Sequence, residues 1–332
     1  MKVSVVVPVK NEAGTIERLI FSLAAQTVRP DEVIIVDGGS EDGTPELVDR
    51  WAQKHRLSDW IRVVRLDEAS PGKGRNVGVE HARNEWIAFT DAGIRVEAMW
   101  LERLVEVVGK DDSVDVVYGS YEPVTETWVE KCSALAYVEP KQQRAGQPMR
   151  GPFIASSLMK RGVWEGVGGF PDYRAAENLV FMEAIEKNRY KIAWAPRATV
   201  WWELQPTLGS TFRHLALHTE HTTKIGRPVA RQYSMVGQYI AWLVFTILAV
   251  LFCLWALLLP VTGYSLRVAR RIWVRRDGRG LLWALKPARF IGVMVVLLIV
   301  DAATFAGWGG SVWQRGLRRA SVAEQGMKDR RS

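Results

Sequence analysis

Trp86-Ile-Ala-Phe-Thr-Asp-Ala-Gly-Ile94 is a short apolar run that meets an aspartate and breaks at a glycine. The run reads as a buried strand, and in an open α/β sheet ligands bind just past the carboxyl ends of the strands. Asp91 occupies such an end. A carboxylate there is placed to hold a metal ion against a phosphate. The plainer alternative is an aspartate that caps the following turn.

Outward from this strand, the first ~120 residues alternate strand and helix patterns, as parallel α/β domains do. Val3–Pro8 and Val33–Asp37 are continuous β-branched runs of the kind buried on both faces of a sheet. Ile61–Leu66 and Val114–Tyr118 read as further strands, with helices over Thr15–Ala25, Pro45–Lys54, Lys73–Arg83 and Ala98–Val108. Glu122–Arg150 is the least regular part, a loop with a helical piece at Trp128–Tyr137. Phe153–Met159 reads as a strand, Ala176–Lys187 as a helix, Lys191–Ala195 and Thr199–Trp202 as two short strands flanking Pro196, and Leu208–Thr223 as an amphipathic helix. There is no internal repeat.

The net charge of +8 over 332 residues is unevenly spread. From Ser234 onward there are 14 Lys and Arg against 4 Asp and Glu, which leaves the first 233 residues at about −2. That argues against a nucleic-acid partner for the α/β part and ties the basic excess to an apolar tail, hence to a membrane surface. The strand pattern beginning at Lys2 leads us to expect no secretory signal peptide. Cys132 and Cys253 give neither a disulfide framework nor a zinc set, and a reducing compartment is expected.

No charge occurs from Gln232 to Leu266, 35 residues, where a spanning helix needs roughly 20. We therefore expect a membrane segment over 233–266, either one span or a hairpin. A second apolar run over 290–310 is interrupted by Asp301 and is read as a second span or an in-plane interfacial helix. The expected order is a catalytic domain over 1–205, an interface helix and linker over 206–232, the first membrane segment, a basic loop over 267–289, the second segment, and a basic tail over 311–332. A single crossing would put a loop with eight basic residues outside, against the positive-inside tendency. A hairpin would return that loop to the cytosolic side.

Three strand ends converge on one edge of this sheet: Pro8 with Asn11 and Glu12, then Asp37, then Asp91. Between them Pro71-Gly-Lys-Gly-Arg-Asn76 opens a helix, and a helix N-terminus with Lys73 and Arg75 attracts a diphosphate. A solvated basic turn is the simpler reading of that loop. The spacing is neither a Walker loop nor a dinucleotide fingerprint.

Taken in order, these stretches resemble the family 2 glycosyltransferases, inverting enzymes of the GT-A fold. The matching text is Val3-Ser-Val-Val-Val-Pro-Val-Lys-Asn-Glu12, Glu32-Val-Ile-Ile-Val-Asp-Gly-Gly-Ser-Glu-Asp-Gly-Thr44, Gly72-Lys-Gly-Arg-Asn-Val-Gly78 and Ala88-Phe-Thr-Asp-Ala-Gly93, then Val167-Gly-Gly-Phe170, Ala176-Glu-Asn178 and Ile192-Ala-Trp-Ala-Pro196. The resemblance covers residues 2 to about 205. It implies an open mixed sheet flanked by helices, with hydrophobic membrane helices following, and a nucleotide-diphosphate sugar donor. By resemblance Pro8, Glu12 and Asp37 hold base and ribose, and Arg75 and Asn76 line the nucleotide site, to which the charge of Lys73 in the same loop is added as a candidate. Asp91 matches the first acid of the family's D-x-D motif, which implies a divalent cation, Mg2+ or Mn2+, at the leaving diphosphate.

Two positions depart from the family pattern. Gly93 stands where the second acid of D-x-D is expected, so the need for a metal stays open. Asn178 replaces the Asp of the family's Glu-Asp motif, usually the general base, and leaves Glu177 as the candidate base with Asp172 in reserve. Glu177 also reads as a simple first-turn helix carboxylate. Arg213 is a candidate for contact with diphosphate or acceptor, and Trp201 and Trp202 for stacking on a sugar or anchoring at a membrane interface. His214, His218 and His221 fall on one helix face, as a polar face or a metal site.

The expectation is a membrane-anchored inverting glycosyltransferase with a lipid or lipid-linked acceptor, at the cell membrane with its catalytic domain on the cytoplasmic side. A polyprenyl-phosphate sugar transferase is one alternative, because an ionic acceptor needs no strong base. A degenerate nucleotide-sugar-binding protein on the same fold is the other.

Overall fold

The computed structural model describes residues 1–226, 230–252 and 258–328. Cys253, in the middle of the expected first membrane segment, and the end of the basic tail lie outside the described residues. The chain divides into two compact units, Met1–Val124 with Glu139–Glu203, and Thr125–Val138 with Leu204–Ser332.

The first unit begins with β1 (Val3–Val9), α1 (Ile16–Ala24), β2 (Glu32–Asp37), α2 (Thr44–Lys54), β3 (Ile61–Arg65), α3 (Pro71–His81) and β4 (Trp86–Phe89). β4 is wholly apolar, β1 is apolar but for Ser4 and β2 but for its terminal Glu32 and Asp37, and nearly every residue in them is buried. Then come β5 (Ile94–Val96), α4 (Trp100–Lys110) and β6 (Val116–Val124). The second unit takes α5 (Trp128–Ala136). The first resumes with a small hairpin, β7 (Gln142–Arg144) and β8 (Gln147–Met149), followed by β9 (Ser157–Lys160), α6 (Arg161–Val167), α7 (Glu177–Lys187) and β10 (Ile192–Glu203).

The sheet runs β3-β2-β1-β4-β9-β6-β10-β5. β1 to β4 are mutually parallel, β9 is antiparallel to both β4 and β6, β10 is parallel to β6, and β5 is antiparallel to β10. It is the open mixed sheet expected from sequence. From β1 the chain steps outward to β2 and β3, then returns across them to β4. Right-handed crossovers therefore put α1 and α2 on one face and α3 on the other. The direction reverses between β1 and β4, which opens a crevice at their carboxyl ends. On the α3 face Val6, Val36, Phe89, Tyr118, Phe170 and Phe181 form the core with α6 and α7.

Several boundaries differ from the sequence reading. β5 was not expected, being only three residues long with one exposed. The strand expected over Val114–Tyr118 continues to Val124. The strand expected over Phe153–Met159 opens as a single 3-10 turn, Ile154–Ser156. The two short strands around Pro196 are one strand, whose register shifts between Ala195 and Thr199. A proline has no N–H for the ladder, and the irregularity absorbs it. Of the irregular stretch 122–150, the helical piece forms with a Thr127–Glu130 capping box, but it clusters with the second unit instead of a continuous 1–205 domain.

The second unit adds α8 (Leu208–Lys224), α9 (Ala230–Phe252), α10 (Leu258–Val274), α11 (Leu281–Ala284) and α12 (Pro287–Lys328). α12 lies so close to α8 that a Cβ on Gly307 would stand 2.3 Å from the Ala216 carbonyl. α9 and α10 are antiparallel neighbours. Trp242 packs edge-on against Tyr264 at 5.5 Å, and Tyr239 and Arg267 meet on Asp301 of α12. Arg267 grips Asp301 with two hydrogen bonds of 2.5 and 2.8 Å, and Tyr239 donates a third at 2.8 Å. The interruption that Asp301 makes in the second apolar run is thus a fully paired charge. Beyond this triad Leu243, Ile247, Leu251, Leu259, Val261 and Leu266 are exposed. Among the described residues one helical stretch, Pro287–Ser311, is long and apolar enough to cross a membrane, and half of it is buried within the unit.

Candidate active site

The crevice between β1 and β4 collects most of the carboxylates expected from sequence. Asp37 closes β2 and is buried. Its Oδ2 accepts from the backbone N–H of Gly39 at 3.2 Å and Ser40 at 3.1 Å, while Oδ1 is buried without a partner. A buried acceptor left open in this way is rare and points to a missing donor. Gly39 makes the turn possible, with φ at +83° and no room for a Cβ beside the Asp67 carbonyl.

The loop after β1 is tied to the loop after β2. Asn11, with φ at 57°, accepts from Glu41 N at 2.9 Å and donates its own N–H to Ser40 Oγ at 2.8 Å. Glu12 N donates to Thr44 Oγ1 at 2.9 Å, and the Thr15 hydroxyl donates to the Glu12 carboxylate. Burial pushes the Glu12 carboxyl above its ordinary value, the Thr15 hydroxyl pulls it back, and the charges of Asp42, Asp91 and Glu203 raise it further. The sequence reading missed Asp42 as a member of this region. It accepts from Ala13 N at 2.9 Å and Thr44 N at 3.1 Å, and its signal was the Asp-Gly-Thr spacing before a helix start.

Helix α3 lies against β1 because two glycines allow it. A Cβ on Gly74 would stand 3.1 Å from Pro8 Cβ, and one on Gly78 would stand 2.3 Å from Val6 Cγ1. The approach carries Arg75 into the protein, where it is 2% exposed. Arg75 Nη2 donates to Asp91 Oδ1 at 2.7 Å and Nη1 donates to Glu177 Oε1 at 3.1 Å. Burial works against the guanidinium charge, but Asp91 and Glu177 outweigh it and hold the pKa above the ordinary arginine value. Arg75 Nε is buried with no partner.

Asp91 follows β4, and its side chain is 34% exposed. Glu177 is the first residue of α7 and is buried. The residue before it, Ala176, holds φ at 65°, a left-handed conformation that costs an alanine about 1–3 kcal/mol. Gly72 presses on Glu177, since a Cβ there would meet Glu177 Cγ at 3.3 Å. Asn178 Oδ1 is buried and unpartnered.

The other expected residues divide. Lys73 is exposed in the first turn of α3, whose N-cap Ser70 accepts from Lys73 N at 3.1 Å and donates to Asp172 at 2.5 Å. Asn76 is engaged by protein: it donates to the Phe170 carbonyl at 2.8 Å and accepts from Phe170 N and Trp164 Nε1, both at 2.8 Å. Its visible work is to hold the turn before Phe170. Trp202 registers against Ile94, three residues past Asp91, and Trp201 against Arg95. Arg213 is exposed on α8, in the other unit. His214 and His218 share its helix, and burial lowers the pKa of both. Among the described residues no group of three His, Cys, Asp or Glu can hold a metal ion.

Residues 4–165 match the model of glycosyl transferase family 2. The chain carries a family 2 glycosyltransferase domain. Glycosyltransferase AglE of Haloferax volcanii is 26% identical over 248 residues, 73% of this chain and 74% of that protein. The putative glycosyltransferase EpsH of Bacillus subtilis is 33% identical over 119 residues, 36% of this chain and 33% of its own. Among solved structures the mannosyltransferase PcManGT from Pyrobaculum calidifontis, in complex with GDP-Man and Mn2+, superposes with a TM-score of 0.55 at 22% identity. That match covers 93% of this chain and 87% of PcManGT, and it establishes the GT-A fold.

Against the family 2 glycosyltransferase pattern, Gly93 leaves open space, since a Cβ there would meet nothing within 4 Å. Asp91 is therefore a single carboxylate, with Oδ1 taken by Arg75. Such an arrangement fits a cation only where a ligand's phosphates complete its oxygen shell.

Proposed function

We propose that this protein transfers a sugar, with inversion, from a nucleotide-diphosphate donor to a lipid or lipid-linked acceptor. The observation that carries the reading is a pair of buried polar atoms left without partners at the strand ends. Asp37 Oδ1 lacks a donor, which a base or ribose group would supply, and Arg75, which holds Asp91 through Nη2, has an Nε without an acceptor. Pro8 pairs with Val36, next to Asp37, across β1 and β2, and Glu12 lies in the loop that follows β1. Lys73 and the N-terminus of α3 offer positive charge for the diphosphate. Mg2+ or Mn2+ would be held by Asp91 together with the donor's own oxygens, and when bound it neutralises charge on the departing diphosphate. Glu177 is the candidate base, with Trp201 and Trp202 candidates for the sugar or acceptor.

A second reading is favoured by the state of Glu177. It is buried and bound to Arg75, and its neighbour is an amide. A carboxylate whose oxygen is engaged by a buried guanidinium is not free to reach an acceptor hydroxyl, and a base must lie within hydrogen-bond reach of the proton it removes. An acceptor that arrives ionised, such as a polyprenyl phosphate, needs no base.

The helical unit supplies the membrane association. Antiparallel α9 and α10 favour a hairpin entering from one side, which keeps the 275–280 turn on the side where α9 begins, the cytoplasmic side on this reading. Detergent-solubilised protein should turn over one donor from a panel of nucleotide sugars when membrane lipid extract is supplied, with the product read by mass. Donor binding without turnover on every lipid extract would sink the proposal.

A further inference from the structure

The helical unit contains a cleft that the sugar-transfer reading does not use. It has a volume of about 160 Å³ and lies between α5 and the start of α12. Trp128, Cys132, Leu135 and Ala288 give it an apolar lining, and Lys131, Lys286 and Arg289 give it three cations. Among the described residues none of the three forms an ion pair with a carboxylate. Lys131 is turned to the Glu126 carbonyl at 2.9 Å. Arg289 stacks on Trp283 at 3.6 Å, on a ring that Arg279 also approaches at 4.6 Å. Lys131 and Lys286 are exposed and Arg289 is half-buried, so an anion entering this apolar pit would meet three cations that no carboxylate already holds.

The exposed side chains that lead into the cleft in sequence point to the sort of anion that fits. Leu281, Leu282 and Leu285, which run up to Lys286 in the chain, are 57, 87 and 60% exposed, and Trp128 of the cleft lining is 49% exposed. Arg276 stacks on Trp273 nearby in sequence. Exposed leucines with tryptophans and arginines form the pattern that settles at the boundary between headgroups and acyl chains. An inorganic anion would satisfy the charges and leave the leucines in water. A neutral lipid would cover the leucines and leave the charges unpaired. An amphiphile with a phosphodiester head satisfies both.

We propose that this cleft binds the headgroup of an anionic phospholipid, with the phosphate against Lys131, Lys286 and Arg289 and the first carbons of the lipid along Trp128 and Leu135. The inference rests on the membrane reading of the helical unit. It assigns the cleft no part in the chemistry of transfer.

The buried Cys132 thiol in the cleft wall gives a direct readout. The sequence has two cysteines, so Cys253→Ser leaves Cys132 alone. In full-length protein in a neutral detergent, short-chain phosphatidylglycerol should slow alkylation of Cys132, and phosphatidylcholine of the same chain length should not. Lys131→Gln or Lys286→Gln, both at exposed positions, should raise the half-protecting concentration about ten-fold, the cost of one charge-assisted contact. Arg276→Gln, outside the cleft, should leave it unchanged. Equal protection by both lipids, no protection by either, or protection by inorganic phosphate alone each overturns the proposal. Flotation with neutral phosphatidylcholine vesicles reads membrane association separately, so a failed headgroup site is distinguishable from a failed membrane reading.

Discussion

Arg75 Nη2 stands 2.7 Å from Asp91 Oδ1 inside a protein that leaves only 2% of the arginine side chain exposed. The same guanidinium holds Glu177, so two residues 86 positions apart in the chain are joined through a third. Arg75→Ala should destabilise the α/β unit by about 3–5 kcal/mol, because it strands buried negative charge. Arg75→Lys should recover only part of this, since an ammonium cannot make the two-pronged contact. Denaturant melts of the three proteins check the order. An Arg75→Ala variant as stable as the parent would remove the arginine as the centre of the site.

Asp37→Asn keeps an oxygen for the Gly39 and Ser40 N–H groups and places an NH2 where Oδ1 has no partner. The fold should survive with little change in Tm. Affinity for the donor nucleotide should fall roughly 10–100-fold, the loss of one hydrogen bond to a charged group. Calorimetry with the nucleoside diphosphate measures this. Unchanged affinity would move the nucleotide away from Asp37.

Glu177→Gln separates the two acceptor chemistries. If Glu177 removes a proton from a hydroxyl acceptor, kcat should drop by about 10²–10⁴ while donor affinity holds. A kcat that stays within ten-fold of the parent removes Glu177 as the base and leaves the ionic acceptor.

The helical unit has its own test. Asp301→Ala should leave Arg267 unpaired and lower stability in detergent by about 3–5 kcal/mol, while replacing both residues with apolar ones should restore most of it. Thermal melts of the single and double variants show whether the triad with Tyr239 fixes the register of α9, α10 and α12.

The sequence announced those parts of the fold in which neighbouring residues carry the signal. β1, β2 and β4 were legible because their largely apolar runs bury both faces, and the carboxyl ends of β2 and β4 located Asp37 and Asp91. β5 and the β7–β8 hairpin were not, since three residues are too few for a period. Pro196 suggested a break where the strand only changes register. The partners of Arg75 were also hidden. A basic residue in a glycine-rich turn looks solvated until two glycines let its helix sink onto β1. Asn76 was read as lining the nucleotide site, and its carboxamide is spent on Phe170 and Trp164, contacts that only the folded chain reveals.

The space at Gly93 has a practical consequence. Nothing lies within 4 Å of a Cβ placed there, and the backbone does not occupy the left-handed region. An aspartate or a cysteine can therefore be introduced without repacking, beside the carboxylate of Asp91. Preference between hard and soft cations becomes a property that an experimenter can write into this protein with one side chain.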